Sequence, residues 1–371
     1  MDKVLVVGGG IGGLTAAIGL RRAGIEVDLV ELNPEWTVYG TGIIQQANVV
    51  RAMAQLGIVD EFLAAGLPYD HTRSYDLQGK LIADINVPRL AGPEYPSMLG
   101  IERPALQKVL VNAAQRLGTR IRVGVSVASF HELADAVEVT LTDGTRARYQ
   151  LMVGADGLYS QVRTLLFGQQ YTPSYTGQAV WRYTLPRPPE FDCLATQIGE
   201  KFNAGICPTS QQEMYLFLTS AEPGNPRMPE DRLAGLMRER LAAFGGFIGR
   251  LRGQITDSSR VVYRPLETVL VPAPWYRGRV VLIGDAAHGA TPHLGQGAGM
   301  AIEDAVVLAE EVGRQQPLPA ALERFMTRRW ERAKFVWETS VGICKAELAG
   351  RKDIDRPALL RQMLELTAQP L

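Results

Sequence analysis

The sequence predicts an α/β fold: a parallel sheet assembled from three separated stretches of chain, a mostly antiparallel sheet inserted between them, and helices at the C-terminal end. Three observations carry this. An apolar run at residues 3–7 (KVLVV) leads into a glycine cluster at 8–13 and then a helical pattern, the start of a βαβ unit. A strand running into a Gly/Asp turn returns at 151–157 and again at 279–285. Between these stretches, residues 69–97 and 173–274 carry scattered prolines and short runs of alternating polarity.

In chain order, residues 3–7 read as a strand buried on both faces. Leu14 to Ala23 reads as a helix stopped by Gly24, and Glu26 to Val30 as a second strand ending at Glu31. Residues 47–65 are helical with a break near Gly57, and Arg103 to Leu117 is helical again. Residues 121–153 hold short strands with a hairpin turn at Asp143-Gly144. In the inserted part, Met214 to Thr219 alternates as a strand, and Glu230 to Phe244 reads as one amphipathic helix. Arg279 to Ile283 returns to the first sheet, a long helix starts near Gly297, and the last fifty residues are helical and charged. The expected division is 1–68, 98–172 and 275–345 for a discontinuous nucleotide-binding domain, 69–97 and 173–274 for the inserted β-sheet domain, and 346–371 for a helical tail.

The chain has 371 residues, with 39 basic and 39 acidic side chains. A formal charge of zero gives no bulk attraction to nucleic acid or to an anionic membrane. Cys193, Cys207 and Cys344 are widely spaced with no CxxC, which predicts idle thiols rather than a disulfide framework or a metal site. Val4 to Val7 is too short for a signal core, and no run of about 18 apolar residues exists to span a bilayer. The expectation is a cytoplasmic protein without a membrane anchor.

Three motifs carry chemistry. Gly8-Gly9-Gly10-Ile11-Gly12-Gly13 is a GxGxxG between a strand and a helix. Gly8 permits the tight turn, Gly10 lets a pyrophosphate approach, and Gly13 lets helix pack on strand. The helix N-terminus offers free N–H groups to phosphate, and Glu31 follows at the second strand's end, where a carboxylate can accept ribose hydroxyls. The second motif, from Gly154-Ala155-Asp156-Gly157 to Arg163, is by itself an ordinary turn. The third, Gly284-Asp285-Ala286-Ala287-His288, leads to Pro292-His293-Leu294-Gly295-Gln296-Gly297-Ala298, where glycines open a helix whose N–H groups can stabilise negative charge on a bound ring.

In this order and spacing, over about residues 1 to 345, the three motifs resemble those of the group A (single-component) FAD-dependent aromatic monooxygenases. That family includes p-hydroxybenzoate hydroxylase, salicylate hydroxylase and a bacterial FAD-dependent urate hydroxylase. The resemblance implies a p-hydroxybenzoate hydroxylase-like architecture, with a Rossmann-like FAD-binding domain and the inserted sheet as substrate domain. Gly8, Gly10, Ile11, Gly12, Gly13 and Glu31 fall on the family's ADP-binding fingerprint. Arg103 and Gln107 fall on positions that touch the flavin's phosphate and ribityl regions, and Asp156, Gly157 and Arg163 on the DG motif. Asp285 matches the ribityl-holding aspartate. Pro292, Gly295, Gln296, Gly297 and Ala298 match the loop beside the isoalloxazine, and Gly40, Gly42 and Ile43 to Gln46 a segment near the mobile flavin. Two positions depart from the pattern: Leu32 stands where many relatives carry a basic residue, and Asn203 falls at the urate hydroxylase's substrate-binding arginine, so urate is not supported.

The implied activity is hydroxylation of a small aromatic or N-heteroaromatic substrate. NADPH or NADH would reduce the FAD as a transient donor, and O2 would add to give a C4a-hydroperoxide. Arg182, Tyr215, His293 and Pro292 are the expected catalytic or substrate-side residues, whereas His288 reads as a brace for the Gly-Asp turn. A monomer or homodimer is expected. An FAD-dependent oxidase or dehydrogenase on the same fold is the alternative. A halogenase is disfavoured by the lack of a Trp-x-Trp pair, and a prenyl reductase by the charged C-terminus.

Overall fold

The computed structural model describes residues 1–38, 40–199, 201–314, 316–351 and 354–371. Strand Lys3–Val7 lies at the heart of a six-stranded sheet, flanked by Leu151–Gly154 and Glu26–Glu31. Val4 to Val7 are buried, as a strand covered on both faces must be. Strand Arg120–Val123 extends the sheet beyond Glu26–Glu31, and Val280–Leu282 extends it beyond Leu151–Gly154. These pairings are all parallel; an antiparallel hairpin strand, Tyr276–Arg277, closes the edge. Three distant stretches of chain thus build one nucleotide-binding sheet.

Helix Ile11–Arg22 packs against helix Gly297–Gly313, which seals that face of the sheet. Small residues make this approach possible: a side chain at Gly19 would lie 2.8 Å from the Ala309 Cβ. The Asp143-Gly144 turn forms as expected, with Gly144 at φ 84° and strands Val137–Leu141 and Arg146–Tyr149 paired across it.

The second layer is a seven-stranded sheet. Its longest strand pairing is Ser174–Pro186 with Glu213–Ala221, antiparallel over nine residue pairs, and the central strand Asn203–Pro208 lies against the latter. All pairings are antiparallel except Leu194–Ile198 with His71–Tyr75, which is how the 69–97 ribbon joins the inserted sheet. Trp181, Tyr183, Leu216 and Ile206 fill a separate core under this sheet, with Met237 and Ile248 from the covering helices.

The expected helix over Glu230 to Phe244 is shorter and has a partner. A 3₁₀ turn at Glu230–Arg232 precedes helix Leu233–Arg240, and a further helix, Gly246–Arg252, follows. Gly246 sits at φ 54° with its Cα against Gly79, so the chain makes a close crossing here before the next helix begins. The C-terminal region consists of helix Leu318–Leu348 and helix Arg356–Ala368. No helix among the described residues is long and apolar enough to cross a membrane.

Candidate active site

A cavity of ≈ 870 Å³ lies between the two sheets. Gly10, Ile11, Gly12, Glu31, Arg103, Gln107, Gly157, Asp285, Pro292, Gly295, Gly297 and Ala298 line it from the nucleotide-binding side. Arg182, Tyr215 and His293, expected at the substrate side, line it as well. The motifs, up to 289 residues apart in sequence, therefore share one wall.

The glycine turn is shaped for a large anionic ligand. Gly8 has φ 105°, and a side chain on Gly13 would collide with the Gly8 carbonyl oxygen at 1.9 Å, so strand and helix meet with no room between them. A side chain on Gly10 would meet nothing within 4 Å, since that residue faces the open cavity. Glu31 Oε2 accepts the Gly9 N–H at 2.7 Å and Oε1 accepts the Asn33 N–H at 2.8 Å, which fixes the carboxylate beside the turn. The Gly9 carbonyl accepts from Trp36 Nε1 and from Gln107 Nε2, both at 2.9 Å. Trp36 was not anticipated from sequence.

Asp285 lies deep in the molecule, yet its side chain is open to the cavity. Burial raises its pKa, and His288 and Arg103 pull it back toward the charged form. A deep carboxylate facing empty space fits a polyhydroxyl chain such as ribityl, which would supply the missing donors. Behind it, His288 Nε2 is 2.6 Å from Asp304 Oδ2, which also accepts the Gly284 N–H at 2.9 Å. His288 is thus a buried brace of the Gly-Asp turn. The glycine cradle and this carboxylate fit FAD.

Five expected cofactor residues lie behind the wall. Gly8 and Gly13 shape the turn. The Asp156 carboxylate accepts the Val162 N–H at 3.0 Å and bonds Ser160, closing its own loop. Arg163, expected to touch cofactor, is turned away: it donates to the carbonyls of Tyr171, Ala286 and Leu158 at 2.8, 3.0 and 2.7 Å. It ties the second motif to the third. Gln296 is buried among Gln46, Asn48 and Met363, and its Nε2 donates to Gln46 Oε1 at 2.9 Å. Gln46 in turn donates to the Leu294 carbonyl at 2.7 Å, so this network sets the shape of the 292–297 loop.

On the substrate side, the Arg182 pKa is pushed down to about 10 by burial and by Arg103, with Tyr215 opposing; the guanidinium stays charged at neutral pH. Burial holds the Tyr215 hydroxyl well above its usual range, hence protonated. Gly42 must lack a side chain, since a Cβ there would meet the Tyr215 ring at 2.6 Å. His293 donates or accepts at both nitrogens, to Thr291 Oγ1 at 3.0 Å and Glu347 Oε2 at 3.1 Å. Glu347 also accepts from Gln178 at 2.8 Å, Asn203 at 3.3 Å and Arg356 at 2.6 Å. Burial alone would raise the Glu347 pKa; His293 and Arg356 outweigh it and hold the carboxyl below its ordinary value. Asn203 lines the cavity, with its Nδ2 fixed on Glu347 and its Oδ1 buried without a hydrogen-bond partner.

The three cysteines are buried and free. His71, Asp192 and Cys193 bring ligand atoms within 4.8 Å of one another. Arg73 already holds Asp192 at 2.8 Å, and burial raises the Cys193 thiol to about 12, so the group reads as an ion pair beside a neutral thiol.

Comparison with known proteins matches the FAD binding domain family over residues 1–339. The chain is 35% identical to the aurachin C monooxygenase/isomerase of Stigmatella aurantiaca, covering 89% of this chain and 85% of that one. It is 35% identical to the 2-heptyl-3-hydroxy-4(1H)-quinolone synthase of Pseudomonas aeruginosa, covering 91% and 87%. The crystal structure of Klebsiella pneumoniae HpxO complexed with FAD and uric acid superposes with a TM-score of 0.87 at 25% identity, over 100% of this chain and 97% of that one. The fold, the cofactor cradle and this likeness over nearly the whole chain agree, and the chain belongs to the FAD-binding-domain family of FAD-dependent flavoprotein monooxygenases.

Proposed function

We propose that this chain uses NAD(P)H and O2 to hydroxylate a small N-heteroaromatic or phenolic ring held between the 292–297 loop and the seven-stranded sheet. The observation that carries the reading is the shared cavity: the residues that fit FAD and a set of convergent polar groups, Arg182, Tyr215 and His293, line the same space. FAD supplies the oxygen-activating chemistry when bound and reduced.

The chain's own residues bind, orient and exclude water. Arg182 places a fixed positive charge beside the ring, where it favours the ionised, electron-rich form of a ring hydroxyl. The protonated Tyr215 hydroxyl can donate to a ring oxygen. Glu347 fixes the His293 ring, so the imidazole meets substrate in one orientation. Helix Gly297–Gly313 opens toward the cavity with its free N–H groups, a ready acceptor of negative charge. Ile85, Val87, Leu194 and Leu364 line part of the remaining wall with apolar surface, which disfavours water there.

The test is NAD(P)H consumption by purified holoenzyme across a panel of phenols and N-heterocycles, with O2 uptake and H2O2 followed together. Acceleration by a ring compound, with hydroxylated product and little H2O2, is expected. Reduction of the flavin by the ring compound itself, without NAD(P)H, would make the protein an oxidase or dehydrogenase.

A further inference from the structure

We infer that helix Arg356–Ala368 is the specificity element of the site, and that it selects rings carrying a saturated hydrocarbon substituent. The inference rests on the hydroxylase reading and names its substrate class more closely. The family match ends at residue 339, yet Ile343, Arg356, Leu360 and Leu364 beyond it line the cavity. The part of the site that these residues form therefore lies outside the matched FAD-binding frame.

Beside Arg356, Ile343, Leu360 and Leu364 form an apolar wall. Leu360 and Leu364 pack with Leu294 of the flavin-side loop, Ile343 and Met363. Leu364 also packs into a second cluster with Val87, Met98 and Leu194 on the sheet side. One leucine thus joins the loop beside the cofactor to the 81–87 ribbon, where Ile85 and Ile82 continue the cavity lining. Ile82 is 54% exposed and Leu81 beside it 50%, so the apolar track reaches the surface at that ribbon. A polar ring alone would leave this track wet; an alkyl substituent covers it, and burying each methylene is favourable.

The helix is held at both ends. At its C-terminal end, Arg51 donates to the carbonyls of Thr367 and Ala368 at 3.0 Å each, and Arg332 donates to Thr367 at 2.8 Å. At its start, Arg356 binds Glu347 at 2.6 Å, the carboxylate that also fixes His293. The seat of the apolar wall and the orientation of the imidazole are therefore set by one carboxylate.

The experiment uses FAD-loaded enzyme and one heteroaromatic ring carrying hydrogen, methyl, propyl, pentyl or heptyl at the same position. Two quantities are read: the dissociation constant, from the change in flavin absorbance without reductant, and kcat/KM for hydroxylated product. Binding should tighten about two- to fourfold per methylene through the first several carbons. Leu364→Ser should flatten that slope, and Leu360→Ala should reduce it, with the flavin-to-protein absorbance ratio reporting that each variant is folded and loaded. A flat slope in the wild-type enzyme, with the rings still hydroxylated, overturns the inference and leaves the hydroxylase reading standing. A steep slope in binding without hydroxylation of any ring supports the wall and overturns the hydroxylase reading. Failure of every ring to bind overturns both.

Discussion

Arg329 lies fully buried between Glu303 and Asp304, its Nη1 2.6 Å from Glu303 Oε2 and its Nε 2.8 Å from Asp304 Oδ1. Asp304 carries the other half of the relationship on its Oδ2, through His288 and the Gly284 N–H. The C-terminal helix Leu318–Leu348 thereby holds the turn that presents Asp285 to the cavity. Burial would raise the Asp304 pKa, but His288 and Arg329 outweigh it and bring it to about 2.

The sign of the resulting pH dependence is fixed. A folded-state pKa below the ordinary aspartate value of 3.8 means that Asp304 contributes stability above that pH and loses it as pH falls toward about 2. The size is about 2 kcal/mol for the charged form. Asp304→Asn should remove most of this loss from an acid unfolding titration. Arg329→Met should cost about 3–5 kcal/mol by removing the cation that two buried carboxylates share, read as a lowered denaturation midpoint. A wild-type stability that does not fall between pH 4 and pH 2 would count against the Asp304 assignment.

Gly13→Ala should be far more damaging than Gly10→Ala. The first places a Cβ 1.9 Å from a backbone oxygen, which nothing nearby can relieve; the second places it in open space. Expression and thermal melting of the apoproteins should therefore separate the two variants, with Gly13→Ala poorly folded. Gly10→Ala should fold and instead hold FAD weakly, because the methyl occupies the phosphate approach.

The motifs were legible because their chemistry is local: a strand, a glycine turn and a helix start are contiguous in sequence. The seven-stranded sheet was legible for the same reason, from runs of alternating polarity. Glu347 was not, since its partner His293 lies 54 residues away and it sits in no recognisable pattern; Gln46 fell in the segment near the mobile flavin, but its bond to Leu294, 248 residues away, was not legible. Arg163 carried a motif position, but its role depends on which carbonyls surround it, and only tertiary packing decides that. The C-terminal helix read as charged tail because its apolar residues, Leu360, Met363 and Leu364, are interleaved with Arg361 and Glu365. The close crossing of Gly246 on Gly79, after which another helix begins, was not legible because it joins residues far apart in the chain.

Asp285→Ala should purify with little flavin. The carboxylate faces the cavity from a deep position, and its loss removes a charged acceptor from the ribityl hydroxyls. Asp285→Asn should retain more, since an amide oxygen still accepts. The ratio of flavin to protein absorbance after gel filtration reads both, and a fully yellow Asp285→Ala would contradict the assignment.

Arg182→Met should leave FAD bound and act on substrate. Loss of the charge beside the ring is expected to cost about 1.5–3 kcal/mol, or roughly 10- to 100-fold in kcat/KM, and to divert NAD(P)H toward H2O2. Flavin content is the control. An unchanged kcat/KM with unchanged coupling would place the substrate away from Arg182.

Turnover under 18O2, with a ring compound that accelerates NAD(P)H oxidation, decides whether this site inserts oxygen. Monooxygenation requires one labelled oxygen per hydroxylated product, because the inserted atom comes from O2. Product carrying oxygen from solvent water instead, with the label recovered in H2O2, would contradict monooxygenation by this site.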